Sequence, residues 1–301
     1  MGKSKLRKER QYANHVMEYP IDLEQCKKSN LMITGVNQVG KTRLAMALCD
    51  ILMSEGFQCI VIDTVGHWKN RSSIPFYYDV SEVSMSYIIP KTSMIFDLSE
   101  LMPIFQKQWL EAFLHDLWKS RKHEQPNNYC MICLEESHLY MRRLDSMASQ
   151  SLMRICSVAA NEPYHIRVMA ISPSFTGLHS EFRRLSQLRY HFRIGRESNT
   201  KRRFSGIYNK DWTRIALELD VGCLIYYNNG KMDIWKIPLF HTRRLPQKYV
   251  EPKEPIPEKK GLIQRIMRTI SGKSKEVYDY EQEYQREQEQ NREDIDFLEE
   301  W

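Results

Sequence analysis

Two glycines, a lysine and a threonine stand at a spacing that can bind phosphate. They are Gly35, Gly40, Lys41 and Thr42, within the segment ITGVNQVGKTRLAMALCDIL. The spacing fits G-x-x-x-x-G-K-[ST], in which loop amides surround the phosphates, the lysine contacts the β and γ oxygens and the threonine hydroxyl binds Mg²⁺. The alternative is a flexible glycine turn that matches by chance. We predict a nucleotide site that uses ATP and Mg²⁺.

The residues on either side of this loop have the patterns of a strand and a helix. LMIT, residues 31–34, is a short apolar run, and Leu44, Leu48 and Leu52 then recur at helical spacing up to Gly56. A helix that begins at the loop directs its positive N-terminal end at a bound anion. This order of strand, loop and helix is the context that the phosphate-binding pattern requires.

A pair of glutamates at the end of another apolar run could turn binding into hydrolysis. In YCMICLEES, Glu135 and Glu136 follow a run that predicts a buried strand. Hydrolysis needs a carboxylate that positions the metal and a group that orients the attacking water. We expect Glu135 to contact Mg²⁺, directly or through water, and Glu136 to polarise water against the γ-phosphate. The alternative is a surface pair that caps the next helix.

Strand and helix patterns alternate along most of the chain. Strands that alternate with helices indicate an α/β fold with a parallel sheet covered on both faces, and nucleotides bind at the carboxyl ends of its strands. The predicted strands are residues 59–63, 93–98, 130–136 and 166–172. The predicted helices carry Leu110, Phe113, Leu114, Leu117 and Trp118 on one face, and Leu152, Ile155 and Ala159 on another.

The pattern changes after Ser180. LRYHFRI, residues 188–194, alternates apolar with basic or histidine side chains, which predicts a strand with one buried and one basic face. GCLIYYNNGKMDIWKIPL then places residues 228–230 between two strands. This arrangement predicts a C-terminal β-hairpin whose loop is slightly longer than two residues.

The seven cysteines are expected to be buried, reduced thiols, because they are odd in number and scattered through apolar runs. Cys130 and Cys133 form a C-x-x-C pattern. Residues three apart on a strand point to opposite faces, and no second C-x-x-C completes a zinc site. The pattern therefore argues against a metal or redox site.

Charge is distributed unevenly along the chain. The net charge is +6, but residues 275–301 contain 11 acids and 3 bases, and residues 1–274 contain 27 acids and 41 bases, a net charge of +14. A basic globular part suits a polyanionic partner such as nucleic acid. We expect a basic segment (1–30), an ATPase domain (31–245), a proline-rich linker (246–260), and an amphipathic helix with an acidic tail (261–301).

The sequence offers no sign of a membrane protein. No apolar run approaches the roughly 20 residues of a spanning helix, and the basic start MGKSKLRKER is not followed by an apolar segment that could act as a signal peptide. We expect a cytoplasmic protein, in the host cytoplasm if it is encoded by a virus.

Several segments together resemble the HerA/FtsK superfamily of P-loop ATPases, particularly its HerA-like branch. They are VIDTVGHW, IFDLSELMPIFQKQWLEAFLHDLW, ICLEESHLYM and GCLIYYNNGKMDIWKIPLF, in this order. The resemblance covers residues 31–240. It implies a RecA-like core with a mostly parallel sheet flanked by helices, a hexameric ring of identical subunits, and ATP-driven translocation of double-stranded DNA.

The resemblance also implies roles for single residues. Lys41 and Thr42 act in the phosphate loop, Glu135 is the metal-side acid in place of the usual aspartate, and Glu136 is the catalytic base. Asp63 matches an aspartate common at its place, with turn capping as an equal alternative. The expected nucleotide-binding residues are Gly35, Val36, Asn37, Gln38, Val39, Gly40, Lys41, Thr42, Arg43, Asp63 and Ser172.

Two further features concern the γ-phosphate. Relatives usually end the strand MAIS in a polar residue and a glutamine, whereas here Ser172 is followed by Pro173. Ring ATPases commonly complete each site with an arginine of the neighbouring subunit. The candidates for this arginine are Arg193, Arg196, Arg202 and Arg203. For each of them, the alternative is a place on a solvated basic face.

Three functions are compatible with these features. The leading prediction is a DNA-translocating ATPase. The second is a P-loop ATPase switch that acts on a protein partner, through the C-terminal tail, without DNA. The third is a small-molecule kinase, against which a water-activating Glu136 argues, because kinases exclude water.

Overall fold

In a computed structural model of the protein, the described residues are built around a ten-stranded β-sheet. The structure describes residues 19–80, 92–124, 128–141, 147–158, 164–237 and 248–249, all within one unit, Met1–Pro252. In this part of the chain no helix is both long enough and apolar enough to cross a membrane.

The strands are short and mostly buried. In chain order they are β1 (Asn30–Thr34), β2 (Gln58–Asp63), β3 (Phe76–Asp79), β4 (Met94–Asp97), β5 (Cys130–Leu134), β6 (Ile166–Ser172), β7 (Ser186–His191), β8 (Cys223–Asn228), β9 (Lys231–Lys236) and β10 (Lys248–Tyr249).

One helix precedes β1, and the others lie between strands in the chain. The helices are α1 (Leu23–Lys28), α2 (Lys41–Ser54), α3 (Pro103–Glu124), α4 (His138–Met141), α5 (Met147–Ser157), α6 (Ser180–Leu185) and α7 (Ser198–Glu218), with one 3₁₀ turn at Phe175–Gly177.

The order across the sheet is β10-β3-β4-β2-β5-β6-β1-β7-β8-β9. Strands from β10 to β7 pair in parallel, and β8 and β9 are antiparallel additions at one edge. The carboxyl ends of neighbouring parallel strands coincide, as the pairing of Thr34 with Ser172 shows. This parallel pairing confirms the predicted α/β class. It also places the C-terminal ends of the strands that carry candidate residues side by side.

Two apolar clusters cover the two faces of the sheet, as predicted. Alternate residues of β5 divide between them, so that Cys130 packs with α3 and α5 while Cys133 packs with α2. This confirms that the C-x-x-C cysteines point to opposite faces. All seven cysteines are free, and all are buried except the half-buried Cys223.

The predicted strands are present with small shifts of their ends, and the helix after Gly40 ends at Ser54, close to the expected Gly56. The sequence patterns did not reveal β3, β10, α1, α4, α6 or α7. These elements are short or polar, except α7, whose apolar periodicity is hidden among its charged residues.

The hairpin prediction was correct in place and wrong in detail. Asn228 pairs with Lys231, so the loop has only the two residues Asn229 and Gly230. Both have positive φ, 45° and 90°. Asn-Gly tolerates this left-handed backbone, which suits the tight turn between twisted antiparallel strands.

The basic face predicted for residues 188–194 is only partly basic. His191 is fully buried and Arg189 half-buried, because α7 packs over this face through Tyr208. The other face is buried as predicted.

Two residues of the predicted linker belong to the sheet. Lys248 and Tyr249, assigned to the linker, pair with β3 as β10. The remainder of the linker, Ala159 of the second predicted helix, the first 18 residues and the segment 261–301 lie outside the described residues.

Candidate active site

The loop of residues 35–42 joins β1 to α2 at the C-terminal ends of the parallel strands. Gly35 and Gly40 have φ values of 149° and 108°, which other residues rarely adopt. A side chain at Gly35 would place its Cβ 2.6 Å from the Cβ of Phe192. The Val36 amide donates to the Arg193 carbonyl at 2.9 Å. The loop is therefore packed against the end of β7, and the N-terminal amides of α2 face its interior.

Lys41 is buried at the start of α2, and its Nζ donates to the Val36 carbonyl at 2.9 Å. Burial lowers its pKa, while the negative charges of Glu136 and Glu135 act in the opposite direction. The ammonium is thus folded over its own loop, and the charges of both carboxylates act on it.

Glu135 follows β5 and is only 2% exposed. Its carboxylate accepts hydrogen bonds from the Thr42 hydroxyl and, at 3.0 Å, from Nε1 of Trp68. Burial raises its pKa to about 7, although both hydrogen bonds lower it. A buried carboxylate beside a hydroxyl supplies the hard oxygen ligands that Mg²⁺ prefers, so the residues fit this ion. The burial of Glu135 is incompatible with the alternative in which both glutamates lie at the surface.

Glu136 is half-buried and has a positive φ of 44°. A non-glycine residue in this region costs roughly 1–2 kcal/mol, and such strain often occurs at functional sites. Its Oε2 lies 3.2 Å from Nδ1 of His138. Its side chain keeps 27% of its surface exposed, so water can reach the carboxylate.

Asp63 ends β2 and caps the turn that follows. Its Oδ1 accepts from the amides of Val65 and Gly66 at 3.1 and 2.9 Å, and its Oδ2 accepts from the Trp68 amide at 2.8 Å. Burial raises its pKa. The structure thus shows the capping role, whereas a role in nucleotide binding stays a prediction.

Ser172 ends β6 beside Thr34. Its hydroxyl donates to the Ser174 carbonyl at 2.7 Å and accepts from the Ser174 amide at 3.2 Å. Both bonds shape the turn after the strand. A contact between Ser172 and the γ-phosphate stays a prediction.

The remaining predicted residues lie at the surface or support the loop. Asn37, Gln38 and Arg43 are exposed, while Val39 is buried and accepts a hydrogen bond from the Gly222 amide at 3.1 Å. The four arginine candidates are also exposed, which fits both a contact with another subunit and a solvated face. They are Arg193, Arg196, Arg202 and Arg203.

Two residues behind the site were not predicted from the sequence. Trp68 contacts Glu135, and its only signal was a tryptophan close behind a strand end. His191 bonds the Thr34 hydroxyl at 2.7 Å through Nδ1 and the Tyr208 hydroxyl at 2.9 Å through Nε2. Arg189 Nη1 donates to the same Tyr208 oxygen at 2.6 Å. This chain of bonds connects the strand before the loop to α7.

Several solved structures resemble this chain. The genome packaging NTPase B204 from Sulfolobus turreted icosahedral virus 2, in complex with ATP-gammaS, superposes with a TM-score of 0.54 at 14% identity, covering 71% of this chain and 99% of B204. VirB4 of Thermoanaerobacter pseudethanolicus superposes with a TM-score of 0.55 at 9% identity, covering 70% of this chain and 90% of VirB4.

B204 from Sulfolobus turreted icosahedral virus, described as a DNA-packaging ATPase, matches with a TM-score of 0.52 at 14% identity, over 70% of this chain and 98% of B204. No protein-family model matches the sequence, and neither does any curated protein. Identities this low establish a shared fold. The chain therefore has the RecA-like fold of P-loop NTPases, which confirms the predicted fold.

Proposed function

We propose that this protein is an ATPase that translocates double-stranded DNA as a ring of identical subunits, with a hexamer as the expected assembly. The observation that carries the proposal is the convergence of Lys41, Thr42, Glu135 and Glu136 at one edge of the sheet. A cationic amine, a hydroxyl and two carboxylates are the groups that hydrolysis of a nucleoside triphosphate requires.

The roles follow from position. Lys41 and the amides of the 35–42 loop bind the β- and γ-phosphates. Thr42 and Glu135 would hold Mg²⁺, which when bound neutralises charge on the phosphates. Glu136, strained and accessible to water, orients the attacking water and receives its proton. Turnover therefore requires both glutamates, each for a different reason.

The DNA substrate rests on separate support. Residues 1–274 carry a net charge of +14, and the structurally similar B204 is described as a DNA-packaging ATPase. A positive surface attracts the phosphates of DNA over distances comparable to the Debye length. We infer that one of the exposed arginines, 193, 196, 202 or 203, reaches the site of a neighbouring subunit, and that the protein works in the cytoplasm.

The test measures phosphate release with and without long double-stranded DNA, together with the mass of the assembly. We expect DNA to raise the rate of hydrolysis and the mass to match a closed ring. Hydrolysis that ignores DNA, with no salt-dependent DNA binding, would favour the ATPase switch acting on a protein partner. Phosphate transfer only to an added acceptor, without release, would instead identify a kinase.

A further inference from the structure

We propose that Trp68 is a positioning residue that orients the Glu135 carboxylate towards Mg²⁺. This inference rests on the proposed function, in which Glu135 is the metal-side acid. Trp68 lies on the turn after β2 and belongs to the apolar cluster that also contains Val39 of the 35–42 loop. Its side-chain hydrogen bond goes to Glu135.

The carboxylate of Glu135 is held from two directions. Nε1 of the fully buried Trp68 donates to its Oε1 at 3.0 Å, and the Thr42 hydroxyl donates to the same carboxylate. Hydrogen bonds from ring N–H groups are directional, so the indole restricts rotation of the carboxylate. Thr42 is the other expected metal ligand, and the carboxylate is thus fixed next to it.

The end of β2 and the turn after it bond the backbone of Glu135 at two further points. The Glu135 amide donates to the Ile62 carbonyl at 3.1 Å, and the Thr64 hydroxyl donates to the Glu135 carbonyl at 3.4 Å. Asp63 in turn accepts from the Trp68 amide at 2.8 Å. Backbone and side chain of Glu135 are therefore both held by the segment 62–68, and the place of the indole is itself fixed.

A glutamate needs such support because its carboxylate hangs on three rotatable bonds. A free side chain would lose this rotational freedom when it binds the ion, which weakens binding. Groups that hydrogen-bond a metal ligand from behind commonly contribute about 10- to 100-fold to metal affinity or activity. Trp68 is the buried donor in a position to provide this effect.

The test compares two substitutions of Trp68 that separate ring volume from the N–H group. Trp68→Phe keeps an aromatic ring and removes the donor. Trp68→His loses volume but keeps a ring N–H, since Nε2 of histidine corresponds to Nε1 of tryptophan. Mg²⁺-dependent binding of a non-hydrolysable ATP analogue is measured by calorimetry at pH 8, alongside binding in EDTA.

We expect Trp68→Phe to raise the half-saturating Mg²⁺ concentration about tenfold and to leave binding in EDTA unchanged. The half-saturating Mg²⁺ concentration of Trp68→His should stay closer to that of the parent. In a Glu135→Ala background, Trp68→Phe should cause no further shift, because the two residues act through one contact. Trp109→Phe, which alters a buried indole in the other apolar cluster, is the matched control and should not shift the Mg²⁺ dependence.

Equal shifts in the Phe and His variants, a shift that persists without Glu135, or a parental Mg²⁺ dependence in Trp68→Phe would each overturn the inference. If the parent hydrolyses ATP, any of these outcomes overturns only the role of Trp68 and leaves the proposed function intact. A parent that binds the analogue with Mg²⁺ but never hydrolyses ATP refutes the function, while the Mg²⁺ comparison still decides the role of Trp68. A parent that binds no nucleotide refutes both.

Discussion

Lys41 carries the charge on which we expect nucleotide binding to depend. Its Nζ is held by a carbonyl of its own loop and lies close enough to two carboxylates for their charges to affect its pKa. An ammonium in this place favours the phosphates of a nucleotide and offsets the charge of the glutamates.

Lys41→Ala should abolish nucleotide affinity or turnover, because it removes the charge that meets the β- and γ-phosphates. Lys122→Ala, at the exposed end of α3, is the matched control and should behave like the parent. Binding of a fluorescent ATP analogue and phosphate release provide the measurements. Hydrolysis by Lys41→Ala at the parental rate would show that the loop does not bind phosphate.

Glu136→Gln should produce a different defect from Lys41→Ala. The amide keeps the shape of the side chain and leaves Thr42 and Glu135 in place, but it cannot accept a proton. We expect ATP to bind and persist, with hydrolysis reduced about 10²-fold or more, as the loss of a general base predicts. Filter binding and single-turnover hydrolysis measure the two effects. Equal loss of ATP binding in both variants would contradict the separate roles.

Among the secondary-structure elements, β7 and α7 meet through a buried histidine. His191 bonds Thr34 and Tyr208, and burial, with a smaller effect of Arg189, lowers its pKa from 6.5 to about 3. The imidazole is therefore neutral in the folded protein at any pH above this value. The strand before the 35–42 loop and α7 are joined by this neutral ring.

This histidine should make folding sensitive to acid. The unfolded chain takes up a proton at His191 below pH 6.5, whereas the folded chain does so only near pH 3, so stability falls between these values as pH decreases. Between pH 7 and pH 5 the parent should lose about 2 kcal/mol more unfolding free energy than His191→Gln.

Urea denaturation of both proteins at each pH measures this difference. Comparison with the variant is necessary because the raised pKa values of Glu135 and Asp50 oppose the trend in both proteins. The same pH dependence in parent and variant would show that His191 becomes charged without cost, and would contradict its burial.

At the scale of the whole molecule, opposite charges lie in different parts of the chain. Residues 1–274 have a net charge of +14, and residues 275–301, with 11 acids and 3 bases, have −8. If the basic part binds DNA, its affinity should fall steeply with salt, by a logarithmic slope of about −0.9 per neutralised phosphate. The acidic tail would then compete with DNA for the same surface.

Ending the chain at Pro255 should strengthen DNA binding at low salt, because the competing acids are removed. The difference should shrink as salt increases, since the Debye length is only about 10 Å at 0.1 M. A chain that ends at Ser274 is the matched control, because it lacks the acidic tail but keeps residues 256–274. Fluorescence anisotropy with labelled double-stranded DNA measures both affinity and salt slope.

If both shortened chains bind DNA no better at any salt concentration, the tail does not mimic DNA, and the ATPase proposal is unaffected. Stronger binding only in the chain that ends at Pro255 would assign the effect to residues 256–274 instead. If DNA binding does not depend on salt, the protein does not contact DNA through its phosphates.

Local patterns in the sequence predicted most strands of the sheet, its two apolar faces and the place of the loop. Strands such as β2 and β6 are buried along their whole length and contain short apolar runs, which is the local pattern of a strand covered on both faces. The glycines at 35 and 40 were predictable because their backbone conformation excludes most other residues. The pair at 135–136 was visible because two adjacent acids directly follow an apolar run.

Only the tertiary structure decided which distant residues meet. The contact of Trp68 with Glu135 spans 67 positions, and that of Thr34 with His191 spans 157. A tryptophan in a turn and a histidine on an alternating strand have the same local pattern whether they face solvent or a carboxylate. Their surroundings depend on the order of strands in the sheet and on the packing of α7, and these arise from long-range contacts that no short segment encodes.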